Sequence, residues 1–150
     1  MHHLLYKESD DMVTRLEEVY RLFLSDIEDE DWLLVEEEVI EDLLLAYLEK
    51  ATVDFDVCRK DLTINYDNLT FNDELELNER VILSKAMLLH YLSPKIIREE
   101  NLKQSVTTAD FTKLSNANML AKLIELKKQT QKELDVYLTK YDYKIFEGLN

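Results

Sequence analysis

A single glycine and a single proline in 150 residues constrain this chain more than any other feature of its sequence. Glycine and proline form most tight turns and are rare inside helices, so a chain that nearly lacks both is expected to consist of long helices with few turns. The length fits one domain of ordinary size. We therefore predict one mostly α-helical domain over residues 1–150, a bundle of four to five helices.

The same scarcity excludes several classes of functional motif. The one glycine, Gly148, leaves no room for a P-loop, a dinucleotide-binding turn or the nucleophile elbow of a hydrolase. The one cysteine, Cys58, builds neither a disulfide framework nor a cysteine-based zinc site. The chain is nevertheless expected to fold, because 46% of its residues are hydrophobic.

The net charge of −14 is unevenly distributed along the chain. Residues 1–75 carry 22 acidic and 6 basic side chains, a net charge of −16, whereas residues 76–150 carry 10 acidic and 12 basic side chains, a net charge of +2. A protein this acidic is a poor candidate for gripping nucleic acid. Three interpretations stay open: a solvated acidic face, head-to-tail self-assembly of the acidic half on the basic half of the next copy, or an acidic passage through which DNA slides.

Hydrophobic periodicity predicts an acidic helical hairpin over residues 1–50, with helices over Ser9–Ser25 and Asp31–Lys50. The predicted buried stripe of the second helix is Trp32, Val35, Val39, Ile40, Leu43, Tyr47 and Leu48. The acidic face is predicted to comprise Asp26, Glu28, Asp29, Glu30, Asp31, Glu36, Glu37 and Glu38.

Residues 51–76 change period and predict an extended excursion or a small β-hairpin. Alternating apolar residues precede and follow the turn signal Asp67-Asn68, and they are Leu62, Ile64, Tyr66, Leu69 and Phe71. A two-stranded ribbon is only marginally stable alone, so it must pack on helices or on another subunit.

Residues 77–140 are predicted to form the core helices. An almost wholly apolar helix is expected from Leu77 or Asn78, and Pro94 is expected to kink or end it near Leu92–Ser93, with one or two further helical turns beyond. A last helix is expected over Asn116–Lys140.

The residues from 141 to 150 carry Tyr141, Tyr143, Ile145 and Phe146 at an alternating spacing, which predicts an extended C-terminal tail. Two alternatives stay open for these side chains. They fold back on their own domain, or they dock on a neighbour as aromatic anchors.

Residues that could perform chemistry are sparse. The histidines are His2, His3 and His90, and none belongs to a metal-binding motif. Arg59 and Lys60 could lower the pKa of the Cys58 thiol, but a buried or incidental thiol is the favoured interpretation. We therefore predict no enzymatic activity, no cofactor and no metal. The sequence shows no signal peptide and no apolar run long enough to cross a membrane, so synthesis in the cytoplasm is expected.

Three stretches of the second half follow one another in a characteristic order. The first is a strand-like entry and an apolar helix ending in an aromatic-Leu pair, over Phe71–Ile96. The second comprises Leu102–Ser105, Asp110-Phe111 and Ser115–Leu120. The third is a polar helix and a Tyr-x-Tyr tail over Leu123–Tyr143. In this order they resemble the neck proteins of tailed phages, the head–tail connectors or portal adaptors, over about residues 70–145.

This resemblance implies a mostly helical virion protein of the phage neck, made in the host cytoplasm. Such proteins form a ring, expected to contain twelve copies, beneath the portal protein, and other neck or tail-completion proteins bind to the ring. DNA passes through without specific binding. By this analogy the tail residues Tyr141, Tyr143, Ile145 and Phe146 would contact the portal. The excursion residues Leu62, Ile64, Tyr66, Leu69 and Phe71 would contact the next ring or a neighbouring subunit.

Two other functions stay open. A small acidic phage inhibitor would mimic DNA, using the carboxylates of residues 26–56 to occupy the basic groove of a DNA-binding protein. A helical adaptor would instead present an apolar groove to a partner protein.

Overall fold

Long helices dominate the structure, as the scarcity of glycine and proline predicts. The computed structural model describes residues 13–27, 35–105 and 117–148. Within these ranges the elements, in chain order, are α1 (Leu16–Ser25), α2 (Glu37–Asp54), β1 (Ile64–Asn65), β2 (Thr70–Phe71), α3 (Leu77–Ser105) and α4 (Ala117–Gly148). The predicted fold class, a mostly α-helical bundle with a small β-hairpin, is confirmed.

Helix α3 lies at the centre of the bundle, because α1, α2 and α4 all pack against it. Its middle is apolar on nearly every side, and Ile82, Leu83 and Met87 are fully buried. Burial on several sides matches the near absence of polar residues in the middle of the helix.

Proline 94 neither ends nor divides α3, which is continuous from Leu77 to Ser105. A proline inside a helix removes one backbone hydrogen bond and leaves its flanks free to remain helical when tertiary packing holds them. Here Leu92 and Ile96 are buried on either side of the proline. The hydroxyl of Ser93 donates to the carbonyl oxygen of Leu89 at 2.9 Å. The core helix and the turns predicted beyond it are therefore one helix.

The chain before α1 is extended and joins the hairpin. The Thr14 N–H donates to the carbonyl oxygen of Asp73 at 3.1 Å, and the Phe71 N–H donates to the carbonyl oxygen of Thr14 at 2.8 Å. The Thr14 hydroxyl, which is buried, accepts the Leu75 N–H at 2.7 Å. These hydrogen bonds keep the backbone before Leu16 extended, and α1 begins at Leu16. The predicted start at Ser9 lies outside the described residues.

The predicted hairpin is present. Strands β1 and β2 are antiparallel, with Ile64 opposite Phe71 and Asn65 opposite Thr70. The side-chain oxygen of Asn65 accepts the backbone N–H groups of Asp67 and Asn68 at 3.0 and 3.2 Å, which closes the turn. Leu69 leaves the turn with a φ of 56°, a left-handed conformation that is unfavourable for a leucine.

Helix α2 buries a different side from the one predicted. It begins at Glu37, six residues later than predicted. Its buried residues are Leu44, Leu48 and Ala51. Of the predicted stripe, Leu48 is buried, whereas Ile40 and Tyr47 are half-buried. The predicted burial is wrong for Val35, Val39 and Leu43, which are exposed, and Trp32 lies outside the described residues. The prediction fails because α2 carries apolar residues on two sides. Periodicity alone does not identify which of the two sides packs on the core.

Helix α4 continues to Gly148 instead of ending at Lys140. The residues from 141 to 148, predicted to be extended, therefore have a helical backbone. Thr130, Leu134 and Tyr141 are buried at spacings of four and seven residues, which shows that the inner face of the helix reaches into this segment.

Candidate functional site

The start of α3 carries a fully buried carboxylate, that of Glu79, whose side chain has no exposed surface. One oxygen, Oε1, accepts the backbone N–H of Glu76 at 2.7 Å, as in the capping of a helix N-terminus by its third residue. The same oxygen lies 3.6 Å from the Nζ of Lys60. The buried charge is therefore compensated by a backbone donor and a cation.

The other oxygen of Glu79 accepts a hydrogen bond from helix α4. The Tyr141 hydroxyl donates to Oε2 of Glu79 at 2.6 Å, and the backbone N–H of Arg59 donates to the Tyr141 hydroxyl at 2.9 Å. The guanidinium of Arg59 lies over the Tyr141 ring at 5.0 Å, and Phe55 packs edge-on against that ring. Burial, reinforced by the bond to Glu79, raises the pKa of Tyr141 to about 12. These contacts fasten α4 to α3 and to the segment that follows α2.

Cysteine 58 belongs to the same cluster, and its thiol lies 3.7 Å from Oε2 of Glu79. Burial above all, and the negative charge of Glu79 in addition, raise the pKa of the thiol, although Arg59 and Lys60 are adjacent in sequence. A raised pKa reduces the thiolate fraction and with it the nucleophilicity of the sulfur. The geometry of the cluster therefore supports a structural role.

Sequence reasoning missed Glu79, although the sequence contained a signal for it. A glutamate at the third position of a helix commonly bonds back to the residue that precedes the helix. In the described residues, no group of three or more histidine, cysteine, aspartate or glutamate side chains could hold a metal ion. No helix in the same ranges is both long and apolar enough to span a membrane.

The four tail residues predicted to contact a portal do not share one environment. Tyr141 is 1% exposed and its side chain packs inside its own domain, so it is not available to a partner. This corrects its assignment to a free arm, and the reason is its bond to the buried Glu79. Tyr143 is 62% exposed. The side chains of Ile145 and Phe146 lie outside the described part of the structure.

The excursion residues also divide into buried and exposed sets. Phe71 is fully buried, and Leu62 and Ile64 are half-buried against the core, so these three stabilise the domain itself. Tyr66 and Leu69 are exposed. Only these two of the five have the accessible surface that a contact with another subunit needs.

The acidic face is exposed wherever the structure describes it. Asp26 follows α1, Glu36 directly precedes α2, Glu37 and Glu38 begin α2, and all four are exposed. Glu41 and Asp42 continue the exposed acidic surface along α2. The predicted members Glu28, Asp29, Glu30 and Asp31 lie outside the described residues.

An open groove of about 810 Å³ lies between α1, α2 and the hairpin. Its floor includes the apolar side chains of Leu16, Ile40 and Leu44, together with Tyr20. Burial first, and the nearby carboxylates of α2 second, raise the pKa of Tyr20 to about 12. The charged residues of the rim are Arg15, Glu17, Arg21, Glu37, Glu41 and Asp42. An adaptor function would depend on this groove.

Helix α4 carries the opposite charge on its exposed surface. Its described basic residues, all exposed, are Lys122, Lys127, Lys128, Lys132, Lys140 and Lys144. Its exposed acids are Glu125, Asp135 and Asp142. Glu133 is engaged by Lys85 of α3 at 2.6 Å, an ion pair that holds the pKa of Glu133 below its usual range. Helices α2 and α4 pack on α3 and not extensively on each other, so the acidic and the basic surface are separate.

Comparison with known proteins adds no relative. No family model, no curated protein and no solved structure matches this chain.

Proposed function

We propose that this chain is a structural protein of the neck of a tailed phage, where it forms a ring under the portal that joins head to tail and extends the DNA channel. One observation carries the proposal. The acidic surface of α2 and the basic surface of α4 are separate faces of one domain. A ring whose subunits associate head to tail needs two different, complementary faces on each subunit.

The specific assignment to the phage neck depends on the resemblance of about residues 70–145, and the expected copy number of twelve depends on it as well. Two further features support an assembly role. The buried cluster around Glu79 serves packing, and the raised pKa of Cys58 disfavours nucleophilic chemistry there. Tyr143 remains exposed for contact with the portal.

Attachment to portal-bearing heads tests this function. A chain truncated before Tyr143 retains Tyr141 and the Glu79 cluster, so it is expected to fold and to lose attachment. The full-length chain with Tyr143→Phe is the control for the phenol group alone. Normal attachment of the truncated chain would remove the portal contact from this segment. Failure of the full-length chain to bind heads would overturn the neck function.

The alternative of DNA mimicry is favoured by one observation, the exposed carboxylates along α2. A mimic would be a monomer or a dimer that binds a DNA-binding protein, in a complex that weakens as salt is raised.

A further inference from the structure

Helix α2 has a second apolar stripe on its outer side, opposite the stripe that packs on α3. The outer positions are separated by four and three residues, and they are Val39, Leu43, Ala46, Lys50 and Val53. Val39 is 46% exposed, Leu43 38% and Val53 76%. Residues at this spacing share one face of a helix, so Val39, Leu43 and Ala46 form a continuous apolar stripe, which Lys50 separates from Val53.

Acidic side chains follow one edge of this stripe. Glu38, Asp42 and Glu49 are exposed and are separated by four and seven residues, which places them side by side along the helix. An apolar strip with a row of carboxylates along its edge favours a partner that is apolar in the middle and basic around it.

The outer face of α4 has that complementary composition. Lys132, Val136, Lys140 and Tyr143 follow one another at spacings of four, four and three residues, so they share a face. Val136 is 52% exposed and Tyr143 62%, and both lysines are exposed. Asp135 and Asp142 are seven residues apart and form a separate row, displaced around the helix from this face.

We infer that the outer face of α2 in one copy of this chain binds the outer face of α4 in the next copy. Val39 and Leu43 pack on Val136, while Glu38 and Asp42 lie near Lys132 and Lys140. The occupant is a second copy because this same chain carries both complementary faces. Since the two faces are different, each copy binds two neighbours and the assembly is head to tail. The inference rests on the proposed assembly role and specifies its subunit interface.

Two blocked variants test the inference. The α2-blocked variant carries Val39→Asp and Leu43→Asp, and the α4-blocked variant carries Val136→Asp and Lys140→Asp. All four positions are exposed, so the fold is expected to persist. Ile97→Asp is the matched control, since it places an acid at an exposed apolar position of α3 outside both faces.

Sedimentation of each protein alone and of the mixture gives the readout. We expect the wild type and Ile97→Asp to form oligomers larger than dimers, and each blocked variant alone to associate at least tenfold more weakly. An equimolar mixture of the two variants is expected to stop at a heterodimer, because only one complementary pair of faces remains. Association of the wild type should weaken when salt is raised from about 0.05 M to about 0.5 M, as screening of the charged edges requires.

Three results would overturn the inference. Dimers of the α4-blocked variant alone would indicate that α2 binds another α2. A mixture that stays monomeric at the highest soluble concentration would show that the faces do not bind. Wild-type oligomers that persist in both blocked variants would place the interface elsewhere.

Charge exchange keeps the test decisive if a blocked variant fails to fold. Glu38→Lys with Asp42→Lys should weaken association at least tenfold, and Lys132→Glu with Lys140→Glu in the same chain should restore it. Loss without restoration would contradict the pairing. The neck function is judged separately: normal binding to heads without α2–α4 association removes only this interface, whereas association without head binding removes only the neck function.

Discussion

Replacement of Tyr141 by phenylalanine tests how firmly the end of α4 is held. The substitution keeps the ring, which is buried against Phe55, and removes only the hydroxyl. Glu79 then loses its 2.6 Å donor while fully buried, and the Arg59 N–H loses its acceptor. A hydrogen bond to a charged group contributes about 1.5–3 kcal/mol, so we expect the free energy of unfolding to fall by about 2 kcal/mol.

Urea denaturation monitored by circular dichroism measures this loss, since a change in midpoint at constant slope reports stability alone. Tyr143→Phe is the matched control, because Tyr143 lies two residues further along the same helix and is 62% exposed. Its expected effect is below about 0.5 kcal/mol. Equal stability of Tyr141→Phe and the wild type would refute the attachment of α4 through Glu79.

Three further substitutions test other parts of the fold. Leu48→Ala should lower the free energy of unfolding, measured by urea denaturation, by about 3 kcal/mol. Leu43→Ala should lower it by less than about 1 kcal/mol, because Leu43 faces outward. Equal losses would contradict the placement of Leu48 on the inner side of α2 and of Leu43 on its outer side. Leu69→Asn should raise stability by about 0.5–1 kcal/mol, because asparagine tolerates the positive φ better than leucine, and a loss would show that the Leu69 side chain contributes more than its backbone costs. The lowered pKa of Glu133 means that its bond to Lys85 stabilises the protein above the ordinary glutamate pKa and that this contribution disappears as pH falls through the lower folded value. Glu133→Gln should therefore remove about 0.5 kcal/mol at pH 7 and progressively less as the pH falls below the ordinary glutamate pKa, and an equal loss at neutral and acid pH would show that the ion pair is not responsible.

The helical class, the hairpin and the central position of α3 could be predicted from the sequence because each depends on local composition. Scarce glycine and proline favour long helices, and the pair Asp67-Asn68 favours a turn. The apolar middle of α3 requires burial on all sides. Each of these signals comes from within the element itself.

The orientation of α2 could not be predicted, because the helix carries two apolar stripes and periodicity does not state which one meets the core. Leu44 and Leu48 are inside, whereas Val39 and Leu43 are outside. Contact with α3 determines which stripe is buried, and α3 is a separate element further along the chain.

The end of α4 could not be predicted for a related reason. Tyr141 continues the apolar spacing of the helix through Leu134, yet Tyr141, Tyr143 and Ile145 also alternate as in a strand. The deciding contact is with Glu79, 62 residues earlier in the chain. Residues so far apart give no joint signal in a single sequence, and the buried cluster was therefore missed.

The mass of the assembly tests the central claim most directly. Native mass spectrometry of the chain, alone and mixed with the portal protein encoded in the same genome, measures how many 17.8-kDa copies associate. We expect the chain alone to form oligomers larger than dimers and, on the portal, a closed ring, with twelve copies as the number that the resemblance implies. A chain that remains a 17.8-kDa monomer in both samples would contradict the neck function.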